Sequence, residues 1–304
     1  MSMASPPTDR LPDFSGYHLD RADHLRADPA ALAALMAHTQ ARWLCMEGFD
    51  PLLAEEGGLL WSEGPQGTQE ASAILLGLHQ DCPHFVLLEE TGLEAPTFRS
   101  PRVMETLAVL NAQDMAIFGA VRSLMAWHGQ HRFCGRCGAP TLLHRGGWGR
   151  RCSACEREHF PRVDPVVIMV AEHGGRALVG RQAAWPTGRY SALAGFLEPG
   201  ETMEEAVARE LWEEAGVRAT RVHYVTSQPW PFPAQLMLAC VAEVDSDLLN
   251  TDANELEHAM WVTPAEVLAA LNGDPAAPFA APPPYAVAHA LLRHWAAGTG
   301  AGGR

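Results

Sequence analysis

Three carboxylates in one acidic run have a spacing that suits metal chemistry. Glu210, Glu213 and Glu214 stand at i, i+3 and i+4 in the stretch TMEEAVARELWEEAGV. At 100° per residue a helix gathers them within about a 100° arc of one face. Carboxylates so crowded repel one another unless a cation lies between them, and hard oxygen donors suit Mg²⁺ or Mn²⁺. Arg209 precedes them and can pair with Glu201 or a neighbouring carboxylate, fixing the preceding loop onto the helix. The helix carries its own signals. Thr202-x-x-Glu205 is a capping box, Gly216 sits where a C-terminal glycine belongs, and Ala206, Val207 and Leu211 form an apolar face. A solvated acidic helix would leave the glycines at each end and the lone arginine without a reason.

A second cluster is built from sulfur. Cys134-x2-Cys137 and Cys152-x2-Cys155 are separated by fourteen residues, so two knuckles can converge four thiolates on Zn²⁺. Gly135 and Gly138 are expected to permit the tight turn around the first pair. Four cysteines close the coordination shell, which predicts a structural rather than a catalytic zinc. The nearby Arg136, Arg145, Arg150 and Arg151 are read as a solvated face, and Cys45, Cys82 and Cys240 as buried or half-buried thiols.

The 304 residues suggest about two globular domains with sizeable cores. All 22 basic residues are arginines, against 36 acidic ones, for a net charge of −14. With no lysine there is no Schiff-base lysine and no phosphate-loop lysine. The acidity argues against bulk electrostatic attachment to nucleic acid or anionic lipid. An anionic substrate would therefore need its charge neutralised by metal. Nothing resembles a signal peptide or a membrane span, and the cysteine usage suggests a reduced, cytoplasmic protein.

These sites need elements to hold them. Residues 1–28 read as a loose arm that is ordered only by docking. A helix is expected over Pro29–His38, strands over Arg42–Cys45, Ala73–Leu78 and His84–Glu89, and one or two helices over Val103–His128. Residues 131–160 are too poor in aliphatic side chains to build a core and need the zinc staple. Beyond Pro161, PVVIMVAE and RALVGRQ flank a His173-Gly174-Gly175 turn as a hairpin. There follow a strand in YSALAG, the charged helix at Met203–Ala215, strands near His223–Ser227 and Leu236–Val244, a helix at Pro264–Leu271, a stiff proline-rich connector over 275–284, a helix at Tyr285–Ala297 and a flexible glycine tail. In Ser227-Gln228-Pro229-Trp230-Pro231-Phe232-Pro233, alternating prolines are expected to enforce an extended backbone from which Trp230 and Phe232 project with period two, suited to a flat base.

The array Gly195-x5-Glu201-x7-Arg209-Glu210-Leu211-x-Glu213-Glu214-x-Gly216-Val217 has the spacing of the Nudix box. Together with the paired CxxC knuckles and SQPWPFP downstream, it resembles the NADH pyrophosphatase branch of the Nudix hydrolases across roughly residues 131–297. The resemblance implies an α/β fold in three parts: an N-terminal α+β domain over 1–130, a zinc ribbon over 131–160 and a Nudix α/β/α sandwich over 161–304. It implies Mg²⁺- or Mn²⁺-dependent cleavage of NADH or NAD⁺ at the pyrophosphate, giving nicotinamide mononucleotide and AMP, and, as in some members, removal of NAD caps from RNA.

Carried over by position, the implied metal ligands are the Ala194 carbonyl, Glu210, Glu214 and Glu255, with Glu213 close by and Glu201 and Arg209 completing the catalytic set. Substrate contacts fall on Phe196, Gln228, Pro229, Trp230, Pro231, Phe232, Pro233, Ala234, Gln235 and Ala288, and on Phe160, supplied by the partner subunit of a homodimer. The chain departs from the branch in having Phe160 for a tyrosine, Gly147 for a glutamate and Gln235 for a serine, which bears on substrate preference. Alternatives are a Nudix hydrolase of another nucleoside diphosphate derivative such as ADP-ribose, and a non-catalytic nucleotide-sensing regulator. A regulator of that kind would be expected to have lost box glutamates, and all are present.

Overall fold

The computed structural model describes residues 12–66, 72–89 and 101–299. The first eleven residues of the expected arm and the glycine tail from residue 300 lie outside them. The chain forms two compact units. One comprises Phe14–Val163 with Pro229–Gln235; the other comprises Asp164–Gln228 and Leu236–Arg304 with the end of Met1–Asp13. No helix among the described residues is long and apolar enough to cross a membrane.

The first unit opens with α1 (Asp23–Arg26) and α2 (Pro29–Met36), the latter started by Asp28, whose carboxylate accepts the N–H groups of Ala30 and Ala31. Strands β1 (Arg42–Leu44), β2 (Met46–Glu47), β3 (Asp50–Pro51), β4 (Trp61–Ser62), β5 (Ser72–His79) and β6 (Cys82–Leu88) follow. Four of them make a sheet in the order β4-β1-β6-β5, in which β5 and β6 form an antiparallel hairpin and β1 lies parallel to β6. The expected helical stretch is two helices, α3 (Pro101–Val109) and α4 (Ala112–Gln130), with Asn111 capping the second. Most residues of α4 from Met115 to His128 are buried, Ile117, Phe118, Val121, Leu124 and Trp127 among them, as in a helix enclosed in a core.

The ribbon strands β7 (Thr141–His144), β8 (Gly149–Cys152) and β9 (Glu158–His159) form an antiparallel sheet within this same unit. The ribbon and the α+β segment before it thus fall in the same compact unit. Trp148 Nε1 donates to the Leu75 carbonyl at 2.7 Å, and His128 Nε2 meets the Gly147 carbonyl at 2.8 Å. Because a carbonyl only accepts, His128 carries its proton on Nε2, leaving Nδ1 to accept from Arg150 Nη1 at 3.1 Å. Burial pushes the His128 pKa down to about 4, so the ring stays neutral. Arg150 is 1% exposed and donates through Nε and Nη2 to the side chain and carbonyl of Thr141. It is thus no part of a solvated arginine face, unlike the exposed Arg151, which pairs with Glu156.

Two further expectations change. Gly138 takes a positive φ of 75°, whereas Gly135 is not among the left-handed positions and a Cβ there would meet nothing within 4 Å. The proline-aromatic stretch is not extended throughout: it ends a strand at Trp230 and turns over residues 231–234, with a cis Phe232–Pro233 bond. Trp230 and Phe232 consequently pack edge-to-face on each other at 5.2 Å, and each packs on Phe14, at 6.0 and 6.2 Å.

The second unit holds β10 (Asp164–His173), β11 (Arg176–Arg181), β12 (Leu193–Phe196), α5 (Met203–Ala215), β13 (Ala219–Trp230), β14 (Gln235–Val244), β15 (His258–Val262), α6 (Pro264–Leu271) and α7 (Val287–Thr299). Its sheet runs β13-β14-β10-β11-β15, with β12 paired to β10. Val167, Met169 and Ala171 of β10 pack with Val207 and Leu211 of α5 in one core, and α7 is tied to β10 by Trp295 Nε1 donating to Glu172 at 2.8 Å. The hairpin, the charged helix and α6 lie where expected. Strand β15 was not foreseen: its residues are mostly half-exposed and pair only with β11, at the sheet edge.

Gly147 sits at φ 86°, and a Cβ there would meet the Ile74 side chain at 2.7 Å. Gly147→Ala is therefore expected to destabilise the protein by about 1–3 kcal/mol, read as a lowered midpoint of thermal or urea unfolding. An unchanged midpoint would show that Ile74 yields freely.

Candidate active site

Helix α5 begins with the full capping box, Thr202 and Glu205 exchanging side-chain and backbone hydrogen bonds, and ends at Gly216 with φ 72°. Its apolar residues Ala206, Val207 and Leu211 are completely buried, which turns Glu210 and Glu214 inward as well, to 8% and 6% exposure. Ahead of it, Gly195 on β12 lies directly against Glu210: a Cβ at 195 would fall 1.9 Å from the Glu210 carboxyl carbon. Only glycine admits this carboxylate against the strand.

Arg209 organises the rest. Its Nε and Nη2 hold both oxygens of Glu201, at 2.6 and 2.9 Å. Nη1 reaches Glu210 at 2.8 Å and Glu213 at 2.9 Å, and Nη2 also donates to the Phe196 carbonyl at 2.8 Å. Glu201 in turn accepts the Glu198 N–H at 2.9 Å, so the loop after β12 is fastened to the helix. The guanidinium, followed by that N–H, holds the Glu201 pKa down to about 2.

Glu214 has no such support. Its Oε2 is buried without a hydrogen-bond partner among the described residues. Burial, followed by the charges of Glu210, Glu255 and Glu213, pushes its pKa up to about 8. Burial raises Glu210 too, against the pull of Arg209. These residues face a cleft of about 630 Å³ whose walls include Ala194, Gly195, Phe196, Glu198, Arg209, Glu210, Glu214 and Glu255. A desolvated carboxylate with an unpartnered oxygen beside other acids is a donor set that fits hard divalent cations.

Seven of the residues singled out from the sequence thus share one cleft: Ala194, Gly195, Phe196, Arg209, Glu210, Glu214 and Glu255. Glu201 lies behind Arg209, and the Glu213 side chain, 52% exposed, is drawn onto the guanidinium rather than lining the cleft. Gln228 is buried at 1% exposure with its amide fully used, donating to the carbonyls of Asp13 and Tyr285 and accepting the Val287 N–H. It is a structural clamp at the start of α7. Ala288 is buried on that helix. Pro229, Trp230, Pro231, Phe232, Pro233, Ala234 and Gln235 cluster with the first unit, and Phe160, half exposed, belongs there too. Phe196 presents a free ring in the cleft, 54% exposed. Gln182, Ala183, Ala184 and Asn254 complete the walls; of these, only the adjacency of Asn254 to Glu255 gave any signal.

In the ribbon, the Sγ atoms of Cys134, Cys137, Cys152 and Cys155 lie within 4.8 Å of one another. The N–H groups of Cys155 and Ala154 point at Cys152 Sγ, each at 3.4 Å, and draw its pKa down to about 6. Four converging sulfurs support a structural zinc.

Comparison with known proteins agrees with this geometry. Residues 161–281 match the NUDIX domain, and residues 130–160 match the NADH pyrophosphatase zinc ribbon domain. The chain belongs to the Nudix hydrolase family, in the branch that carries this ribbon. Among its relatives, the NAD-capped RNA hydrolase NudC of Chromobacterium violaceum is 36% identical over 78% of this chain and 88% of its own length. NudC of Mycobacterium bovis is 33% identical over 94% of this chain and 95% of its own. The human NAD-capped RNA hydrolase NUDT12 is 42% identical over 63% of this chain, which spans 44% of that protein's length.

Two outcomes follow. Cys152→Ser is expected to lower the zinc bound per chain, measured by elemental analysis; full zinc content would remove Cys152 from the site. A carboxyl whose folded pKa lies above its unfolded value of 4.5 withdraws stability as pH rises between the two. Protein freed of divalent cations at the cleft should therefore lose stability from about pH 4.5 to about pH 8, and Glu214→Gln should flatten that slope. Equal slopes in denaturation series of the two proteins would refute the assignment.

Proposed function

We propose that this protein is a Mg²⁺- or Mn²⁺-dependent hydrolase of the central pyrophosphate of NADH and NAD⁺, releasing reduced or oxidised nicotinamide mononucleotide and AMP, and that NAD-capped RNA 5′ ends are a further substrate. The observation that carries this reading is the convergence of Glu210, Glu214 and Glu255 on one cleft, with a buried Glu214 oxygen left unpartnered. Relatives matched over 78% and 94% of this chain are named NAD-capped RNA hydrolases, and another, from Mus musculus, is named an NAD(P)H pyrophosphatase.

In this reading Glu210, Glu214, Glu255 and the Ala194 carbonyl hold the divalent cations, with Glu213 in reserve on Arg209. The chemistry that such ions would supply there is neutralisation of a diphosphate and a lowered pKa for a water molecule. Arg209 keeps Glu210 aimed while holding the loop that presents Phe196, whose exposed ring stacks on a base of the dinucleotide. Glu214 or Glu255 accepts the proton of the attacking water. Phe160 of a second subunit would supply the opposing ring, which makes the active form a homodimer. The unpaired cysteines are in keeping with a cytoplasmic location.

The test is incubation with NADH and Mg²⁺ or Mn²⁺ followed by product separation. Nicotinamide mononucleotide and AMP are expected, and Glu214→Gln should lower kcat/KM by about 10²- to 10⁴-fold. Turnover of ADP-ribose with NADH untouched, or tight NADH binding without turnover, would replace the reading.

A further inference from the structure

Besides α5, β12 and Glu198 just after it, two loops supply walls of the cleft, Gln182–Ala184 and Asn254–Glu255. The second is pinned at its start to the end of α5. The N–H groups of Asn250 and Asp252 donate to the carbonyls of Ala215 and Glu214, at 2.9 and 3.1 Å. Within it, the N–H groups of Glu255 and Leu256 close onto the Asp252 carbonyl, at 3.1 and 2.9 Å. At its far end the Glu257 N–H donates to the Arg181 carbonyl at 2.9 Å, and the Arg181 guanidinium pairs with the Glu257 carboxylate. The same guanidinium donates through Nη2 to the Trp185 carbonyl at 3.0 Å, and the Trp185 N–H closes a turn onto Gln182 at 3.0 Å.

One side chain at the end of β11, 12% exposed, therefore joins both loops. The planar fork of an arginine suits this, because it donates in two directions from a fixed plane. Arg181 is not among the cleft-lining residues, whereas Glu255 lies two positions from the residue it anchors. We propose that Arg181 is a positioning residue that sets the affinity of the cleft for divalent cations, by fixing the Glu255 loop against the 182–184 loop. The inference rests on the cation-binding role proposed above for Glu255. Without Arg181, the loop keeps its ties to α5 and the buried Leu256, but its far end loses both the ion pair and the link to Trp185.

The experiment is calorimetric titration of Mn²⁺ into the zinc-loaded full chain, with kcat and KM for NADH measured against Mn²⁺ concentration. Arg181→Ala is expected to weaken Mn²⁺ binding about ten-fold and to raise in parallel the Mn²⁺ needed for half-maximal rate, the low end of the range for outer residues that orient metal ligands. Arg181→Lys, which keeps the charge but not the fork, should recover part of the loss. In a double-mutant cycle the losses from Arg181→Ala and Glu257→Gln should not add. Wild-type Mn²⁺ affinity in Arg181→Ala overturns the proposal, as do strictly additive losses. Should Arg181→Ala fail to fold, Glu257→Gln decides: weakened Mn²⁺ binding supports the role, and wild-type affinity ends it. Failure of the underlying functional reading looks different: Glu255→Gln would then bind Mn²⁺ as tightly as the wild type, or the wild-type chain would bind Mn²⁺ and leave NADH intact.

Discussion

Arg209 places a single guanidinium among Glu201, Glu210, Glu213 and the Phe196 carbonyl, and the shape of the cleft follows from how far that one positive charge reaches. Glu201, gripped by two nitrogens, is fully ionised and serves as a fixed strut between loop and helix. Glu210 and Glu213 share the remaining Nη1, so their charge is only partly offset. Glu214 lies beyond reach, one turn on, inside the unit's apolar core boundary. The gradient from satisfied to unsatisfied carboxylate along one helix face is what makes the inner end of the cleft a place for hard cations. An extra cation from the protein there would fill the role that metal takes in the proposed reaction.

The capping box, the buried apolar triad and Gly195 all serve this arrangement by removing freedom from α5. A helix able to roll by even a fraction of a turn would take Glu214 toward solvent, where its pKa would relax and its affinity for a cation would fall. The ribbon is held by comparable logic in the other unit. A neutral His128, a buried Arg150 and Thr141 form a polar chain in which Nε, Nη1 and Nη2 of the guanidinium each reach an acceptor. The four-cysteine knuckles hang from strands that this chain secures.

What was legible from residues alone was what local physics decides. Helix α5 could be placed to the residue because its cap, its apolar positions and its terminal glycine all lie within its own length. The knuckles were equally plain. Expectations failed where a distant partner decides. Arg150 looks like its exposed neighbours until Thr141 and His128 are seen beside it. Alternating prolines lock φ yet leave ψ open, so nothing in the heptapeptide announced a turn, or that Phe14 would cover both aromatic rings. The bonds of the Gln228 amide to backbone groups from both ends of the chain were likewise invisible in the sequence. Strand β15 was overlooked because HAMWV is short and half-wet, and its pairing with β11 is non-local.

The grouping of Pro229–Gln235 with Phe14–Val163 has a practical consequence for dissecting the protein. Cutting the chain after Val163 would produce a continuous N-terminal fragment that lacks Trp230, Pro231 and Phe232. Phe14, Gly119 and Arg122 would lose the rings and proline that they contact. Such a fragment would expose a greasy scar and tend to self-associate, so the two halves are separable on paper more readily than at the bench.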